Sequence, residues 1–191
     1  MKKQLGPQSM IFPMPALLVG THNEDGTANA MTAAWAAVCC YKPVCVGVAV
    51  RDNRHTFVNI NRTKAFTLNV PNTSQTAEVD YLGIVSGLKE PNKVAIAGIE
   101  TAKGVVDAPI LVSCPVNLEC GLLEQVKIGT HTWFIGEVLE AHVDEGLVTE
   151  NGTVDVDALD PLIYATSAGE YRSIGKPVGK AYSVGKKIKK G

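Results

Sequence analysis

The chain has 191 residues and a formal net charge of −1, from 18 basic and 19 acidic residues, with 46% hydrophobic and 19% charged residues. That length suits one domain of roughly 100–200 residues with its own buried core, and the ordinary composition excludes disordered, collagen-like and disulfide-scaffold classes. The charge balance argues against a dedicated nucleic-acid binder, and no apolar stretch reaches the roughly 18 residues of a membrane span.

Lys2 and Lys3 precede an apolar stretch over 10–20, but Pro13 and Pro15 break it and no small-x-small cleavage site follows, so no signal peptide is expected. In chain order, 16–21 reads as a short apolar strand. Glu24-Asp25-Gly26 supplies turn chemistry before a second strand over 27–35. The valine-rich 44–50 suits a buried strand. Asn53 can cap a helix beginning near Arg54, with Phe57, Val58 and Ile60 as its apolar contacts. A strand over 65–70 stops at Pro71, and Asn72 or Thr73 caps a second helix running to Leu82. From 116 to 128 the even positions are mostly apolar, a period of two interrupted by Glu124. A hairpin loop over 127–131, containing Gly129, leads into a strand over 132–143. The acidic, glycine-containing 151–159 reads as a surface loop. Antiparallel strands with a few short helices predict a mainly β fold, a closed or split β-barrel, with no domain boundary along 1–191.

Three constellations carry chemistry. In the first, Asn29, Met31, Thr32, Ala33, Ala34 and Trp35, small residues let a ligand approach the backbone. Asn29 and Thr32 add side-chain hydrogen bonds, while Met31 or Trp35 can flank an aromatic ring. Residue types alone favour plain packing here. In the second, Arg51 and Arg54 stand beside His55 and Thr56 at a strand-to-helix junction. A helix N-terminus with nearby cations makes a phosphate site, and Ser86, Gly87 and Lys93 can close it. The third is His131 at a hairpin edge, able to hold a hydrogen bond or a proton near neutral pH, although a lone hairpin histidine is more often a polar surface residue.

The five cysteines show no C-x-x-C spacing and the four histidines are scattered, so no metal site is expected. An odd cysteine count with the adjacent pair Cys39-Cys40 predicts reduced thiols and a cytoplasmic location. Cys45 and Cys120 read as core; for Cys39-Cys40 core is the favoured reading and a reactive pair the alternative. Serine-hydrolase, P-loop and Rossmann signatures are absent.

Asn29-x-Met-Thr-x-x-Trp35, then His55-Thr56 with Asn59-Ile60, then Phe66-x-x-Asn-x-Pro71, Ser86-Gly87 with Lys93, and Gly129-x-His131 with Phe134-x-Gly-x-Val138 follow in order. This ordered set resembles the flavin reductase-like FMN-binding split-barrel family, most closely its flavoredoxin branch, from about Pro13 onward. The resemblance implies a homodimer of Greek-key split barrels with FMN near the subunit interface. By position, 29–35 would line the isoalloxazine, with Thr32 close to its reactive edge. Arg51, His55 and Thr56 would hold the phosphate end. Asn69, Ser86 and Gly87 would border the ribityl chain or phosphate. Lys93 would pair with the phosphate or favour negative charge on reduced flavin. His131 and Tyr164 would approach the pocket, from the same subunit or from the partner. Asn92 and Val94 depart from the Asp and Phe that flank this lysine in many relatives. The implied activity is an electron carrier or oxidoreductase cycling a bound flavin. The alternatives are an NAD(P)H:flavin reductase using FMN as a dissociable substrate, and a non-catalytic flavin-binding module. NAD(P)H or a protein would be the redox partner, with no nucleic acid or membrane involved. After Glu170 there are seven basic residues and no acidic one, a basic segment over 171–191 expected to be solvated.

Overall fold

Seven antiparallel strands form the main sheet, in the spatial order β3-β2-β6-β9-β10-β5-β4. The computed structural model describes residues 1–188; Lys189, Lys190 and Gly191 of the basic segment lie outside the described residues. The chain begins with β1 (Met14–Pro15), β2 (Leu17–His22), β3 (Ala28–Ala33), β4 (Ala36–Tyr41) and β5 (Val44–Arg51). Next come α1 (His55–Thr63), β6 (Ala65–Val70), α2 (Thr76–Ile84), α3 (Lys93–Ile96), β7 (Thr101–Lys103) and β8 (Pro109–Leu111). The long hairpin β9 (Val116–Ile128) and β10 (His131–Val143) is followed by α4 (Val156–Leu159), β11 (Ile163–Ala165) and β12 (Glu170–Arg172).

The strand order dictates the shape. β3 and β4 occupy opposite edges of the seven-stranded sheet, yet only Ala34 and Trp35 join them. Six interstrand spacings in a flat sheet would separate those edges by about 29 Å, whereas the three chain steps from Ala33 to Ala36 reach about 11 Å. The sheet must therefore roll until its edges meet. It forms a Greek-key split barrel whose seam is this two-residue link.

Phe66 and Phe134, both fully buried, fill the barrel with Val46, Val48 and Val50 from β5. Helix α1 plugs one end, placing Ile60 in this core and Phe57 edge-on to Phe134 at 5.5 Å between ring centroids. Gly136 faces Phe66 so closely that a Cβ there would stand 2.7 Å from Phe66 Cζ. A second core lies on the outer side of β2 and β3, where Leu18 and Ala30 meet Val79 and Leu82 of α2, Val94 and Leu111. Strand β2 is thus apolar on both faces, Leu17 and Val19 inward, Leu18 outward, which is why 16–21 reads as an unbroken apolar run.

The structure matches most predicted elements and corrects several. The β9 limits agree with the alternation read over 116–128, and the break at Glu124 coincides with a register shift against β10 next to Leu123. Asn72 caps a 3₁₀ turn through a capping box with Gln75 before α2 begins. The predicted strand 27–35 ends at Ala33, and the sequence reading missed β4, an edge strand with most positions exposed. Cys39 and Cys40, expected in the core, lie exposed on β4 because the sheet ends there and no other described element covers that edge strand; Cys45 and Cys120 are buried as expected. Arg54, not Asn53, occupies the α1 N-cap, since the chain turns through an Arg54 N–H to Arg51 carbonyl bond first. Within the predicted loop 151–159, Asp155 accepts a hydrogen bond from Ala158 N and starts the one-turn α4. The described part of the basic segment after Arg172 is largely exposed.

Phe134→Ala is expected to cost about 3–5 kcal/mol, the range for an aromatic ring removed from a packed core. Denaturant unfolding measures it, and a loss below about 1 kcal/mol would show that the barrel collapses around the gap.

Candidate functional site

The seam between β3 and β4 opens into a cleft. One wall is the end of β3 and the link itself, Asn29, Met31 and Thr32 through Trp35. The β5–α1 corner supplies Arg51, Arg54, His55 and Thr56, and the segment after α2 supplies Ser86, Gly87 and, at the start of α3, Lys93. His131, first residue of β10, pairs with Arg51 across the sheet, and its ring lies against Trp35 at 4.8 Å between centroids.

A buried polar network holds α1 in place beneath the cleft. Asn29 Nδ2 donates to Thr21 Oγ1 and Thr56 Oγ1, both at 3.0 Å. Asn59 Nδ2 donates to Thr21 Oγ1 at 3.2 Å and Asn23 Oδ1 at 3.1 Å. His55 Nε2 meets the same Asn23 oxygen at 2.8 Å, so this nitrogen carries the proton. His55 Nδ1 is buried and has no partner. Burial, then Lys93 and Arg62, hold the His55 imidazole below its ordinary range. Burial, then Arg51 and Lys127, do the same for His131. Both rings are therefore neutral at pH 7.

Three features give one end of the cleft the chemistry to attract an anion. The N-cap residue Arg54 has no side-chain acceptor and caps nothing, which leaves the His55 and Thr56 N–H groups of the first turn without a side-chain cap. Arg51, Arg54 and Lys93 bring positive charge, and among the described residues no carboxylate lines the cleft. Gly87 lies so close to Asn29 that a Cβ would stand 2.4 Å from Asn29 Oδ1; glycine lets this segment approach the floor.

Lys93 is 2% exposed, and its Nζ donates to the carbonyls of Leu82 at 3.0 Å and Val85 at 2.8 Å. Burial, reinforced by Arg54, lowers its pKa to about 8. Those two carbonyls end α2, so the lysine also ties the helix C-terminus to α3. Thr32 donates its hydroxyl to the Val79 carbonyl of α2. With that bond made, Thr32 offers a ligand an acceptor rather than a donor.

Two predicted site residues lie elsewhere. Asn69 is fully buried in β6, donating to the Leu18 carbonyl at 2.9 Å and accepting from Leu111 N at 3.2 Å and Asn117 Nδ2 at 2.9 Å. Its hydrogen-bonding capacity is spent joining β2, β6, β8 and β9, so it belongs to the scaffold. Tyr164 lies in β11, paired with Met14 and with its ring 5.7 Å from that of Tyr171, in the small sheet β1-β11-β12. In this protomer it does not line the cleft.

Sequence reading missed Leu82, Gly83 and Val85, which reach the cleft only because α2 packs on β3. Gly83 eases the close approach of α2 to β3, since a Cβ there would stand 3.2 Å from Thr32 Cβ, tighter than ordinary van der Waals contact. Arg54 was visible in the basic corner but absent from the residues carried over by resemblance.

The family model for the flavin reductase-like domain matches residues 9–175. The fold superposes on flavoredoxin of Desulfovibrio vulgaris (Miyazaki F) with a TM-score of 0.92 and 38% identity, covering 97% of this chain and 100% of that one. A flavoredoxin from Methanosarcina acetivorans gives 0.90 and 29%, over 97% and 98% of the two chains. An uncharacterized protein of Archaeoglobus fulgidus is 32% identical over 149 residues, 77% of this chain and 81% of its own length.

The depressed Lys93 pKa has a definite sign in stability. Its folded value, about 8, lies below the ordinary 10.5, so between these values the unfolded chain binds more protons. Stability of the ligand-free protein therefore rises with pH across that window, and below it the cost of burying the charge is fully present. Denaturant unfolding from pH 7 to 10.5 should show this rise in the wild type and lose the Lys93 contribution in Lys93→Met; identical pH slopes for the two would disprove it.

Proposed function

The chain belongs to the flavin reductase-like domain family, and from that membership we propose that it is an FMN-binding oxidoreductase of flavoredoxin type, passing electrons through a bound flavin between a reductant and an acceptor. Two flavoredoxins superpose over nearly the whole chain, at 38% and 29% identity. The observation that carries the reading is the cleft's two-ended character: a carboxylate-free cationic end on the open α1 N-terminus, continuous with a wall of small residues beneath Trp35.

The donor set fits FMN. Arg51, Arg54, Ser86 and the first-turn N–H groups of α1 would hold the phosphate. The unpartnered His55 Nδ1 and the close approach at Gly87 leave polar capacity and room beside them. Asn29, Thr32 and the backbone of 33–35 would meet the ring's polar edge, with Trp35 and His131 beside it. FMN supplies the electron chemistry when bound, and the protein supplies orientation and electrostatics. Lys93 adds positive charge to the cleft, favouring the electron-rich state. The lowered pKa values of His55 and His131 keep both imidazoles neutral, so neither adds further charge.

A homodimer belongs to the same reading. Ile11, Phe12, Val126 and Ile128 are exposed apolar residues, and Val126 and Ile128 pair with Trp133 and His131 beside the cleft. Sedimentation is expected to give twice the chain mass.

An absorption spectrum before and after anaerobic NADH and NADPH tests the function. A yellow protein with about one FMN per chain, bleached by a reductant, is expected of a bound redox cofactor. A colourless protein that oxidises NAD(P)H only with added flavin would replace this reading with a flavin reductase. Bound FMN that no donor reduces would leave only a binding module. Arg54→Ala is expected to weaken FMN binding about tenfold, as for loss of one charge-assisted hydrogen bond, and to leave riboflavin, which lacks the phosphate, unaffected. Equal losses for both ligands would remove Arg54 from the phosphate end.

A further inference from the structure

Three thiols gather at the end of β5 remote from the cleft. Arg51 borders the cleft, and Cys45 lies six residues away along the same strand, roughly 20 Å at the usual strand rise. Cys40 of β4 stands directly opposite Cys45 in the antiparallel register. Directly opposite residues point to the same sheet face, with Cα atoms about 4.5–5.5 Å apart. That spacing falls inside the range of about 4.4–6.8 Å that a disulfide spans. The register therefore meets the Cα-spacing requirement of a disulfide.

Accessibility divides the two roles. Cys40 is exposed on an edge strand, whereas Cys45 is 3% exposed. A register shift between Val38 and Cys40 turns Cys39 onto the same face, where its sulfur lies over Gly47 beside Trp133. Cys39 has no residue opposite it in β5. A bond between the adjacent Cys39 and Cys40 would have to distort the planar peptide joining them.

We propose that Cys40 and Cys45 are a redox-active pair, oxidised by hydroperoxide to an intrachain disulfide and returned to thiols by small dithiols. The Cys40 thiolate attacks one peroxide oxygen. The O–O bond breaks, Cys40 becomes a sulfenic acid, and the departing hydroxide takes up the proton Cys40 had released, forming water. Cys45 sulfur then attacks the Cys40 sulfur. The S–O bond breaks, and the leaving hydroxide takes the Cys45 proton as a second water. Each sulfur is oxidised by one electron, and the peroxide is reduced to two waters. Burial, then Cys40, Glu137 and Cys39, push the Cys45 thiol above its ordinary range, which suits a resolving rather than an attacking thiol. The bond closes a very short loop, gains little from chain entropy, and is correspondingly easy to reduce.

The full chain is treated with hydrogen peroxide, its remaining thiols are blocked with N-ethylmaleimide, and it is cut with chymotrypsin. Cleavage after Tyr41 separates the two cysteines, so a disulfide leaves their peptides joined. The expected result is a joined 40–45 peptide pair with two fewer blocked thiols, fully reversed by dithiothreitol. Cys39→Ser keeps the link, while Cys40→Ser and Cys45→Ala each abolish it. In Cys45→Ala, Cys40 advances to the sulfinic acid. Independent blocking of both cysteines in the peroxide-treated wild type, a link through Cys39, or a link between two chains would each overturn the proposal. The readout is peptide mass, so it stands apart from whether the cleft holds FMN.

Discussion

The structure depends on a chain only two residues long. Because Ala34 and Trp35 alone connect the two edge strands, the sheet cannot lie open, and the roll brings β3, β5 and α1 to one place. Strand edges normally carry unpaired backbone groups. Here Ala49 N donates to the Trp35 carbonyl at 2.9 Å, extending the β4–β5 pairing into the link, and the two edges themselves share no ladder among the described residues, which leaves the seam open. The barrel's closure and its functional cleft are therefore one feature. A longer link would relax both, since neither edge would be forced against the other.

Beneath the seam, polar side chains do what apolar packing cannot. The hydrogen bonds from Asn29 and Asn59 to Thr21, Asn23 and Thr56 fix α1 so that its N-terminus opens into the cleft. Each of these residues is buried, and burying a polar group without a partner costs about 1–3 kcal/mol. The network is nearly complete, with the His55 Nδ1 atom standing outside it. Lys93 makes the opposite compromise. It keeps two carbonyl partners but lies deep enough that its charge is disfavoured, so an anion in the cleft and the lysine's proton support each other.

Much of this was legible because local patterns survive folding. The alternation over 116–128 gave β9 its full length, the valines of 44–50 gave β5, and the ordered motifs pointed to a split barrel and to most of the cleft's lining. Asn69 shows where such reading fails. Its neighbours in sequence match the motif, but its amide is consumed by Leu18, Leu111 and Asn117, which lie far away in the chain. Tyr164 is held in the small sheet by its pairing with Met14, away from the cleft of its own protomer. Leu82 and Gly83 carried no motif at all, because their place at the cleft comes from helix packing. Cys39 and Cys40 were misread as core because a run of small apolar residues looks the same on a buried strand and on an exposed edge.

The sequence by itself determined the class of fold, the strand-rich core and the residue types that line the cleft. Those properties follow from hydrophobic period, capping chemistry and the order of short motifs, all of which act over a few residues. Only the tertiary structure decided which candidates meet, which are spent as scaffold, how far Lys93 is buried and that Cys40 faces Cys45. Those outcomes depend on strand register and on the seam, which join residues tens of positions apart through contacts that no local pattern encodes.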